Sequence, residues 1–371
     1  MATNDIRVLV VDDSAVVREM LCDLISDTRG MKVAGKAEDG QKALDIFRSV
    51  NPDVVTLDIK MPRTDGLTTL DSLLARSPVP VIMVSALTQA GASITLDALE
   101  RGALDCIEKP EKSSDFRKTF GDELIRKIRS AAGINVRRIL EIRKARKQRL
   151  ALKRKSRVKS KLTSTDSLQE YADKCIAIGI STGGPSALSS LFEMLHPPMP
   201  PVVVVQHMPT NFTKLLASRL DSLSKLSIKE AENGDILSPN HVLIAKAGYH
   251  LGLRRCGNVI NTYYATGEHA SGHKPSIDVM MRKVASIYGA NSLGVIMTGM
   301  GRDGSDGCKE IRKAGGYVLG QDEASSDVYG MNKVAYAEGN VNRQFSLDEA
   351  ASVITRQVRR LGKSFSSATV N

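Results

Sequence analysis

The chain has 371 residues, of which 42% are hydrophobic, enough to build the cores of two ordinary globular domains. It has no run of about 18 apolar residues, no signal-peptide pattern and no C-x-x-C pair among its five cysteines, which favours a cytoplasmic protein with buried thiols. The net charge of +11 comes from residues 126–161, which hold 16 of the 52 bases and one of the 41 acids and leave 36 and 40 elsewhere.

The first 128 residues alternate apolar runs with amphipathic segments. Strands are predicted at residues 7–11, 31–35, 54–57, 79–84 and 105–107, and helices at residues 14–28, 41–50, 67–75, 94–101 and 116–128. Five strands joined by crossover helices predict a parallel, doubly wound sheet. We place this first domain at residues 5–128.

Polar residues follow four of these strands at the points where they end. Asp12 and Asp13 follow the first strand, Asp58 the third, Ser85 the fourth and Lys109 the fifth. The carboxyl ends of parallel strands meet at one edge, where three carboxylates would suit Mg²⁺. A carboxylate can also accept phosphate as an acyl phosphate, whose charge the metal and the lysine would offset. The alternative is a coincidental set of helix caps and loop acids.

These motifs resemble those of a response-regulator receiver domain over roughly residues 5–128. The resemblance rests on Val-Asp-Asp-Ser at residues 11–14, Leu-Asp-Ile-Lys-Met-Pro-x-x-Asp-Gly at 57–66, Ser-Ala at 85–86 and Lys-Pro at 109–110. It implies a flavodoxin-like fold that is phosphorylated on Asp58, with a cis peptide bond before Pro110. The residues that it implies for Mg²⁺ are Asp12, Asp13, Asp58 and the Ile59 carbonyl, and those for sensing the phosphate are Ser85 and Lys109.

Residues 129–170 form a basic linker. Scattered aliphatic residues such as Ile134, Ile139 and Leu150 could form a loose helical stripe, but like charges repel and favour a solvated helix or a disordered tether. Lys and Arg could neutralise nucleic-acid phosphates. No aromatic residue interleaves these charges, however, so we expect no nucleic-acid partner.

The second domain begins with a glycine-rich turn after an apolar run at residues 176–180. Small residues around Ser181 permit a sharp strand-to-helix turn, and Pro185 suits the first turn of the helix that follows. The N–H groups at the start of that helix can stabilise a negative charge. The pattern alone also fits a glycine turn with a helix cap, or a nucleotide-phosphate loop that lacks the full G-x-G-x-x-G spacing.

Two later apolar runs end in residues that complete a catalytic set with Ser181. His207 lies just beyond the run at residues 202–205, and Asp303 lies in the glycine-rich turn after the run at residues 293–298. Three residues at the carboxyl edge of one parallel sheet would form a Ser-His-Asp triad. The chain order Ser, His, Asp differs from the Ser, Asp, His order of α/β-hydrolases and argues against that fold.

The remaining pattern completes an α/β domain at residues 171–362. It predicts a strand at 241–245, a hairpin at 248–253 and 259–263, and helices at 276–288, 306–314 and 347–361. Residues 363–371 form a polar tail that we expect to fray. The fold class expected is therefore two doubly wound parallel-sheet α/β domains joined by a basic linker.

The second domain resembles the catalytic domain of CheB-type methylesterases. The shared motifs are Ile-Gly-Ile-Ser-Thr-Gly-Gly-Pro at residues 178–185, Gln-His-Met-Pro at 206–209, Pro-Ser-Ile-Asp-Val at 275–279, Met-Thr-Gly-Met-Gly-Arg-Asp-Gly at 297–304, Gly-Gln-Asp-Glu at 320–323 and Gly-Met at 330–331. A receiver followed by this Rossmann-like domain is the architecture of chemotaxis protein-glutamate methylesterases. The linker is longer and more basic than that family leads us to expect.

This resemblance implies hydrolysis of glutamate γ-methyl esters on the cytoplasmic helices of chemoreceptors, releasing methanol, and deamidation of receptor glutamines by the same acyl-enzyme route. It implies Ser181 as nucleophile, His207 as general base and then acid, and Asp303 as the group that orients the imidazole. Hydrolysis needs no cofactor. The candidates for the oxyanion hole are backbone N–H groups at Thr182, Gly183 and Met300.

Partners follow from the same resemblance. A chemotaxis histidine kinase of the CheA type is implied as phosphodonor, and the basic linker could be attracted weakly to acidic receptor or lipid surfaces. Two other functions stay open at this point: a response regulator whose linker and second domain bind nucleic acid, and a Rossmann-like nucleotide-binding module. Hydrolysis of methylated receptor and nucleotide binding by the second domain discriminate among them.

Overall fold

The computed structural model describes residues 5–86, 88–110, 120–155, 168–270 and 272–362. The chain forms two compact units, Met1–Lys159 and Ser160–Asn371, and each unit has its own parallel sheet. Among the residues described, no helix is both long and apolar enough to cross a membrane. The predicted fold class of two parallel-sheet α/β domains is confirmed.

The first unit is a five-stranded parallel sheet in the order β2-β1-β3-β4-β5. Its elements are β1 (Ile6–Val11), α1 (Ala15–Ser26), β2 (Met31–Ala37), α2 (Gly40–Val50), β3 (Val54–Asp58), α3 (Gly66–Arg76), β4 (Val81–Ser85), α4 (Gln89–Arg101), β5 (Asp105–Glu108) and α5 (Asp122–Ala131). All ten predicted elements exist. The last helix, predicted from residue 116, begins at Asp122, and residues 111–119 lie outside the described part.

Local chemistry fixes where the first four helices of this unit begin. Each starts with a side chain that accepts a hydrogen bond from a backbone N–H in the first turn, and these caps are Ser14, Asp39, Asp65 and Thr88. The central strands β3 and β4 are buried along their whole length, so they read as continuous apolar runs. Their carboxyl ends deliver Asp58 and Ser85 to the same edge of the sheet.

The basic linker contains a helix, α6 (Val136–Lys155), that packs against the first unit. Val136 and Ile139 are buried, and Arg143 and Arg146 are only 6% and 4% exposed. The Arg143 guanidinium donates a hydrogen bond to the Leu99 carbonyl in the last turn of α4 at 2.7 Å, where the helix dipole favours a cation. The expectation of a disordered tether is therefore wrong for this segment, and that of a solvated helix fails on the buried face only, since Lys144 and Lys147 are exposed. Residues 156–167 lie outside the described part.

The second unit is a seven-stranded, all-parallel sheet in the order β14-β13-β12-β6-β7-β9-β8, beside an antiparallel hairpin of β10 and β11. Its elements are α7 (Leu168–Ala172), β6 (Cys175–Ile180), α8 (Gly184–Met194), β7 (Val202–Gln206), α9 (Phe212–Leu223), β8 (Ser227–Glu230), β9 (His241–Ile244), β10 (His250–Cys256), β11 (Val259–Ala265), α10 (Ile277–Tyr288), β12 (Ser292–Ile296), α11 (Ser305–Lys313), β13 (Tyr317–Gln321), α12 (Met331–Ala337), β14 (Arg343–Phe345) and α13 (Ala350–Val358).

The strands that matter for the site are neighbours in the middle of this sheet. Strand β6 pairs with β12 on one side and with β7 on the other, and all three are completely buried. Helix α10 covers them with Ile277, Met280, Met281 and Val284, none of which is exposed. The sequence patterns missed three strands and three α-helices that the structure describes in this unit, namely β8, β13, β14, α7, α9 and α12. Of these, β8 and β14 are short, partly polar strands at the edges of the sheet.

Candidate active site

Ser181, His207 and Asp303 lie together at the carboxyl edge of three adjacent strands, β6, β7 and β12. His207 Nε2 lies 2.9 Å from Asp303 Oδ2, and both side chains are buried. The Ser181 backbone N–H donates to the carbonyl of Thr298 at 3.0 Å, which anchors the serine turn to the end of β12. The sheet order thus brings the three residues of the sequence prediction to one edge.

The hydrogen bond to Asp303 determines which nitrogen of His207 can act as a base. The carboxylate of Asp303 accepts from Nε2, so Nε2 carries the proton and Nδ1 has a free lone pair. Nδ1 is buried and has no hydrogen-bond partner in the part of the chain that the structure describes. In the usual triad the aspartate contacts Nδ1 and Nε2 is the base, whereas here Asp303 contacts Nε2 and Nδ1 is left to act as the base. The described residues show no hydrogen bond between His207 and the Ser181 hydroxyl, a bond that often forms only in the substrate complex.

Asp303 lies in a cradle at the start of α10. Its Oδ1 accepts from the Ser276 hydroxyl at 2.8 Å and from the Asp278 N–H at 3.1 Å, and its Oδ2 accepts from the Ile277 N–H at 2.8 Å. Burial alone would raise the pKa of Asp303, but His207 and the backbone N–H donors outweigh it and hold the pKa below its usual range. Asp303 is therefore charged at neutral pH and able to stabilise a protonated imidazole.

Gln206 ties the serine turn to the histidine turn. Its side-chain amide donates to the carbonyls of Ser181 at 3.0 Å and of His207 at 2.9 Å. A Cβ at residue 184 would collide with the same side chain, which explains why Gly184 stands there. Sequence reasoning gave Gln206 no role, although its place between a buried strand and the histidine was the available signal.

Close packing behind Ser181 requires glycine at two further positions. A Cβ at Gly299 would lie 2.7 Å from the Ser181 Cβ, closer than real side chains come. Gly183 has a φ of +80°, in the left-handed region that favours glycine, and a Cβ there would press against Asp327. These contacts fix the position of the serine turn relative to the turn after β12.

Two backbone N–H groups near the serine are available to a negatively charged oxygen. Those of Gly183 and Met300 have no hydrogen-bond partner among the described residues. Gly183 precedes α8, whose dipole adds positive potential at that end. Thr182, the third residue predicted here, is buried and its carbonyl is held by the Thr298 hydroxyl at 3.0 Å.

The first unit places the predicted phosphoacceptor beside the predicted metal ligands. Oxygen atoms of Asp12, Asp13 and Asp58 lie within 4.8 Å of one another. Lys109 Nζ is 2.8 Å from Asp12 Oδ2 and 2.9 Å from Asp58 Oδ2. Burial raises the pKa of both of these carboxyl groups even though the lysine lowers it. Two buried carboxylates thus contact one lysine beside a third, exposed carboxylate, and this set of oxygen donors fits Mg²⁺.

The remaining predicted residues of this site surround a cavity of about 250 Å³. Asp58, Ser85 and Lys109 all contribute to its wall. The Ile59 carbonyl accepts from the Gly66 N–H at 3.0 Å and keeps a second lone pair for a ligand.

The peptide bond before Pro110 differs from what the resemblance implied. The cis bonds of the described residues are Pro197–Pro198 and Lys274–Pro275, so the bond between Lys109 and Pro110 is trans and the cis expectation is wrong. The trans form is favoured by about 0.5–1 kcal/mol for a bond before proline. The Lys109 N–H donates to the Ser85 carbonyl at 2.7 Å in this arrangement.

Comparison with known proteins matches both units. The family model for CheB methylesterase matches residues 176–354, and that for the response regulator receiver domain matches residues 8–120. A protein-glutamate methylesterase/protein-glutamine glutaminase of Sulfurimonas denitrificans is 44% identical over 91% of this chain and 94% of its own length. The chain belongs to the CheB methylesterase family.

Other relatives of this CheB-family chain bear the same name. A protein-glutamate methylesterase/protein-glutamine glutaminase of Pyrococcus horikoshii is 41% identical over 95% of this chain and 94% of its own length. The crystal structure of the Thermotoga maritima CheB methylesterase catalytic domain is 36% identical, spans 51% of this chain and 98% of that chain, and has a TM-score of 0.48. Neither family model covers residues 121–175, which include α6.

Two histidines that sequence reasoning left outside the triad support it in this CheB-family chain. The ring of His273 stacks on that of His207 with centroids 3.8 Å apart and planes 6° from parallel. His250 Nδ1 accepts from the Ser276 N–H at 3.2 Å, and its Nε2 faces the Glu268 carbonyl at 2.9 Å. His250 therefore steadies the residue that in turn holds Asp303.

Proposed function

We propose that this CheB-family chain is a phosphorylation-activated protein-glutamate methylesterase and protein-glutamine glutaminase in which Ser181, His207 and Asp303 form the triad. Its substrates are glutamate γ-methyl esters and particular glutamines on the cytoplasmic helices of chemoreceptors. The observation that carries the proposal is the hydrogen bond between His207 and the buried Asp303, on strands that flank the strand of Ser181.

The acylation step follows from the tautomer of His207. Nδ1 removes the Ser181 hydroxyl proton while the serine oxygen forms a bond to the ester carbonyl carbon. Asp303 stabilises the charge on the imidazole during this step. The bond from carbon to the methoxy oxygen then breaks, and the imidazole returns its proton so that methanol leaves.

Deacylation repeats these roles with water in place of serine. His207 removes a proton from water, which attacks the acyl carbon and releases a glutamate carboxyl group and the free Ser181 hydroxyl. A glutamine substrate gives the same acyl-enzyme and loses ammonia instead of methanol. In both steps the N–H groups of Gly183 and Met300 stabilise the oxyanion, a role supported by their lack of other partners among the described residues.

The experiment that tests the activity measures methanol released from methyl-labelled receptor and ammonia released from receptor with unmodified glutamines. We expect both products from the phosphorylated protein. Hydrolysis of neither substrate would contradict the proposed function, whatever the protein binds. Nucleic-acid binding would be the next hypothesis in that case.

The first unit supplies the control of this activity. Asp58 accepts phosphate from a chemotaxis histidine kinase, and Asp12, Asp13, Asp58 and the Ile59 carbonyl hold Mg²⁺. When bound, the metal offsets the charge of the phosphoryl group. Lys109 already spans two of these carboxylates, so adding phosphate to Asp58 redistributes its contacts together with those of Ser85.

Replacing Asp58 should separate basal activity from its stimulation. We expect Asp58→Asn to keep the low basal rate of receptor demethylation and to lose its response to a small phosphodonor with Mg²⁺, because the amide cannot form an acyl phosphate. The matched control is Asp65→Asn, which removes the charge of a helix cap near the same edge. Stimulation of Asp58→Asn equal to that of the unchanged protein would overturn the assignment.

Removing the receiver should raise the unstimulated rate. We propose that the unphosphorylated receiver limits access to the catalytic edge, so a fragment that starts at residue 167 should demethylate receptor faster than the unphosphorylated full chain. Circular dichroism checks that the fragment is folded. If the folded fragment is no faster, the receiver does not inhibit, and phosphorylation acts by recruiting substrate instead.

The exposed face of α6 should contribute to receptor association. Lys144 and Lys147 are exposed, whereas Arg143 and Arg146 are buried and belong to the packing of the helix. We expect Lys144→Gln with Lys147→Gln to weaken binding to acidic receptor at low salt without changing hydrolysis of a small ester. The difference should fade above 0.1 M salt, where the screening length falls below about 10 Å. Binding to receptor that is unchanged at low salt would refute this role. Binding of the same variant to anionic vesicles then tests whether the exposed face associates with lipid instead.

A further inference from the structure

Asp278 and Asp303 are buried, and the carboxyl group of each accepts hydrogen bonds from N–H groups at the start of the helix next to the other. Asp303 precedes α11, yet it accepts from the N–H groups of Ile277 and Asp278 at the start of α10. Asp278 lies in the first turn of α10, yet its Oδ1 accepts from the N–H groups of Gly304 at 2.9 Å and Gly307 at 2.7 Å at the start of α11. This reciprocal arrangement fixes the triad aspartate through both helices.

The pair also requires a proton. Asp278 is 1% exposed and lies against Asp303, whose Oδ1 accepts its backbone N–H at 3.1 Å, and the pKa of Asp278 is raised in part by a side-chain interaction with Asp303. A hydrogen bond between two carboxyl groups needs one of them to be protonated, since ionised carboxylates only accept. Asp303 receives four donors, among them the ring of His207, which favour its charged form. Asp278 therefore carries the shared proton below its pKa, which is raised to about 6.

The electrostatics agree with this assignment. Burial raises the pKa of Asp278, and the neighbouring charge of Asp303 raises it further, while the pKa of Asp303 is lowered. Two like charges in contact in a buried site would repel strongly, so the pair titrates as a unit. The other titratable or charged groups around the pair are His207, His250, Arg282, Asp306 and Cys308.

We propose that Asp278 is a positioning residue of the triad, whose protonated carboxyl group donates to Asp303 and holds it against His207 Nε2. The proposal rests on the proposed function of the triad. It assigns to Asp278 two tasks: accepting the N–H groups that begin α11, and donating to Asp303. Both tasks keep a single negative charge opposite the imidazole. An asparagine can perform both, since its carbonyl accepts and its amide donates, whereas an alanine can perform neither.

The test compares Asp278→Ala with Asp278→Asn in the full-length, phosphorylated protein. We expect Asp278→Ala to lower kcat by about 10²-fold, with KM changed less than about twofold, because misplacement of a catalytic group lowers the rate of chemistry and leaves binding intact. Loss of a donor to Asp303 also leaves its charge less stabilised. The acid limb of the kcat/KM profile should therefore move to higher pH in Asp278→Ala.

Rescue by the conservative variant distinguishes positioning from a general packing role. We expect Asp278→Asn to recover at least tenfold of the lost kcat and to return the acid limb towards its original position. Asp306→Asn, an acid in the first turn of α11 with a 42% exposed side chain, is the matched control. A folded Asp278→Ala with an unchanged pH profile and kcat would overturn the proposal, and so would an Asp278→Asn as impaired as the alanine variant.

Spectroscopy gives a readout if Asp278→Ala does not fold. With ¹³C-labelled aspartate, the unchanged protein should show a carboxyl signal from Asp278, which is still protonated at about pH 5.5, where ordinary aspartates with a pKa of about 3.9 are ionised. That signal should be missing in Asp278→Asn. Persistence of the signal in Asp278→Asn, or its absence from the unchanged protein, would contradict the proposal. The activity of Ser181→Ala tests only the proposed function, so the two can fail separately.

Discussion

Ser181→Ala is expected to lower kcat/KM for demethylation of receptor by about 10⁴-fold or more, the loss that accompanies removal of a nucleophile from a Ser-His-Asp triad. No other side-chain hydroxyl takes part in the proposed acyl-enzyme route. The remaining rate would come from the oxyanion donors and from substrate binding. The measurement is release of labelled methanol under single-turnover conditions, which reports chemistry and not product release.

The effects of the triad variants should not add. Once Ser181 is absent, His207 has no serine proton to remove, so Ser181→Ala with His207→Ala should be about as slow as Ser181→Ala alone. Ser189→Ala is the matched control, because that hydroxyl donates to the Pro185 carbonyl within α8. Near-normal hydrolysis by folded Ser181→Ala would remove the serine from the mechanism, and additive losses would argue against a shared proton-transfer step.

Much of the geometry of the candidate site could be predicted because each residue of the proposed triad follows a buried strand. Ser181, His207 and Asp303 were found from apolar runs that end in polar residues, a local pattern that requires no knowledge of the sheet order. That β12, β6 and β7 are adjacent could not be read from the same pattern, since strand order depends on long-range pairing. The resemblance to a known family implied that the three residues act together, but it did not give the strand order.

The residues that sequence reasoning missed depend on contacts between distant parts of the chain. Asp278 lies 25 residues from Asp303 and appears in the sequence as an ordinary acid in the first turn of a helix. Its partners at Gly304 and Gly307 become visible only when α10 and α11 are side by side. No local pattern distinguishes such an acid from one that interacts with its own helix dipole.

The burial of two arginines in the basic linker also depends on a contact with a distant part of the chain. A dense run of bases is usually solvated, and that expectation failed because Arg143 finds a partner 44 residues away at the end of α4. The spacing of Val136, Ile139, Arg143 and Arg146 places them on one face, but charge at two of the four positions hid the pattern. An arginine whose charged end meets a helix carboxyl terminus can be buried where an unpaired one could not.

Asp303→Asn should also impair the enzyme severely, by a different cause. The amide would replace one carboxylate oxygen with an NH₂ group in a site that supplies donors: the hydroxyl of Ser276, two backbone N–H groups and His207 Nε2, besides the proposed donor Asp278. Pointing NH₂ at His207 would turn the ring to the tautomer in which Nδ1 carries the proton. Nδ1 could then no longer accept from Ser181.

We therefore expect Asp303→Asn to lower kcat by about 10⁴-fold at neutral pH, with little change in KM, since a triad with the wrong tautomer keeps its geometry but loses its base. Asp306→Asn, in the next helix, is the control for removing a nearby negative charge. The variant should be assayed from pH 6 to 9 with a small ester and with receptor. A rate within tenfold of the unchanged protein would mean that Asp303 does not set the tautomer.

Asp303→Asn should also change how the free energy of unfolding depends on pH, in a direction that the pKa of Asp303 determines. The pKa of Asp303 is lower in the folded protein than the 3.8 of a free aspartate, so its ionised form stabilises the fold above that value, and this contribution is lost as the pH falls below it. Asp303→Asn lacks the ionisation altogether. The difference in urea midpoint between the unchanged protein and Asp303→Asn should accordingly be largest near neutral pH and shrink from pH 4 towards pH 2. A difference that stays constant over that range would show that the cradle holds Asp303 by packing alone, because only a carboxylate that is charged when folded can produce this pH dependence.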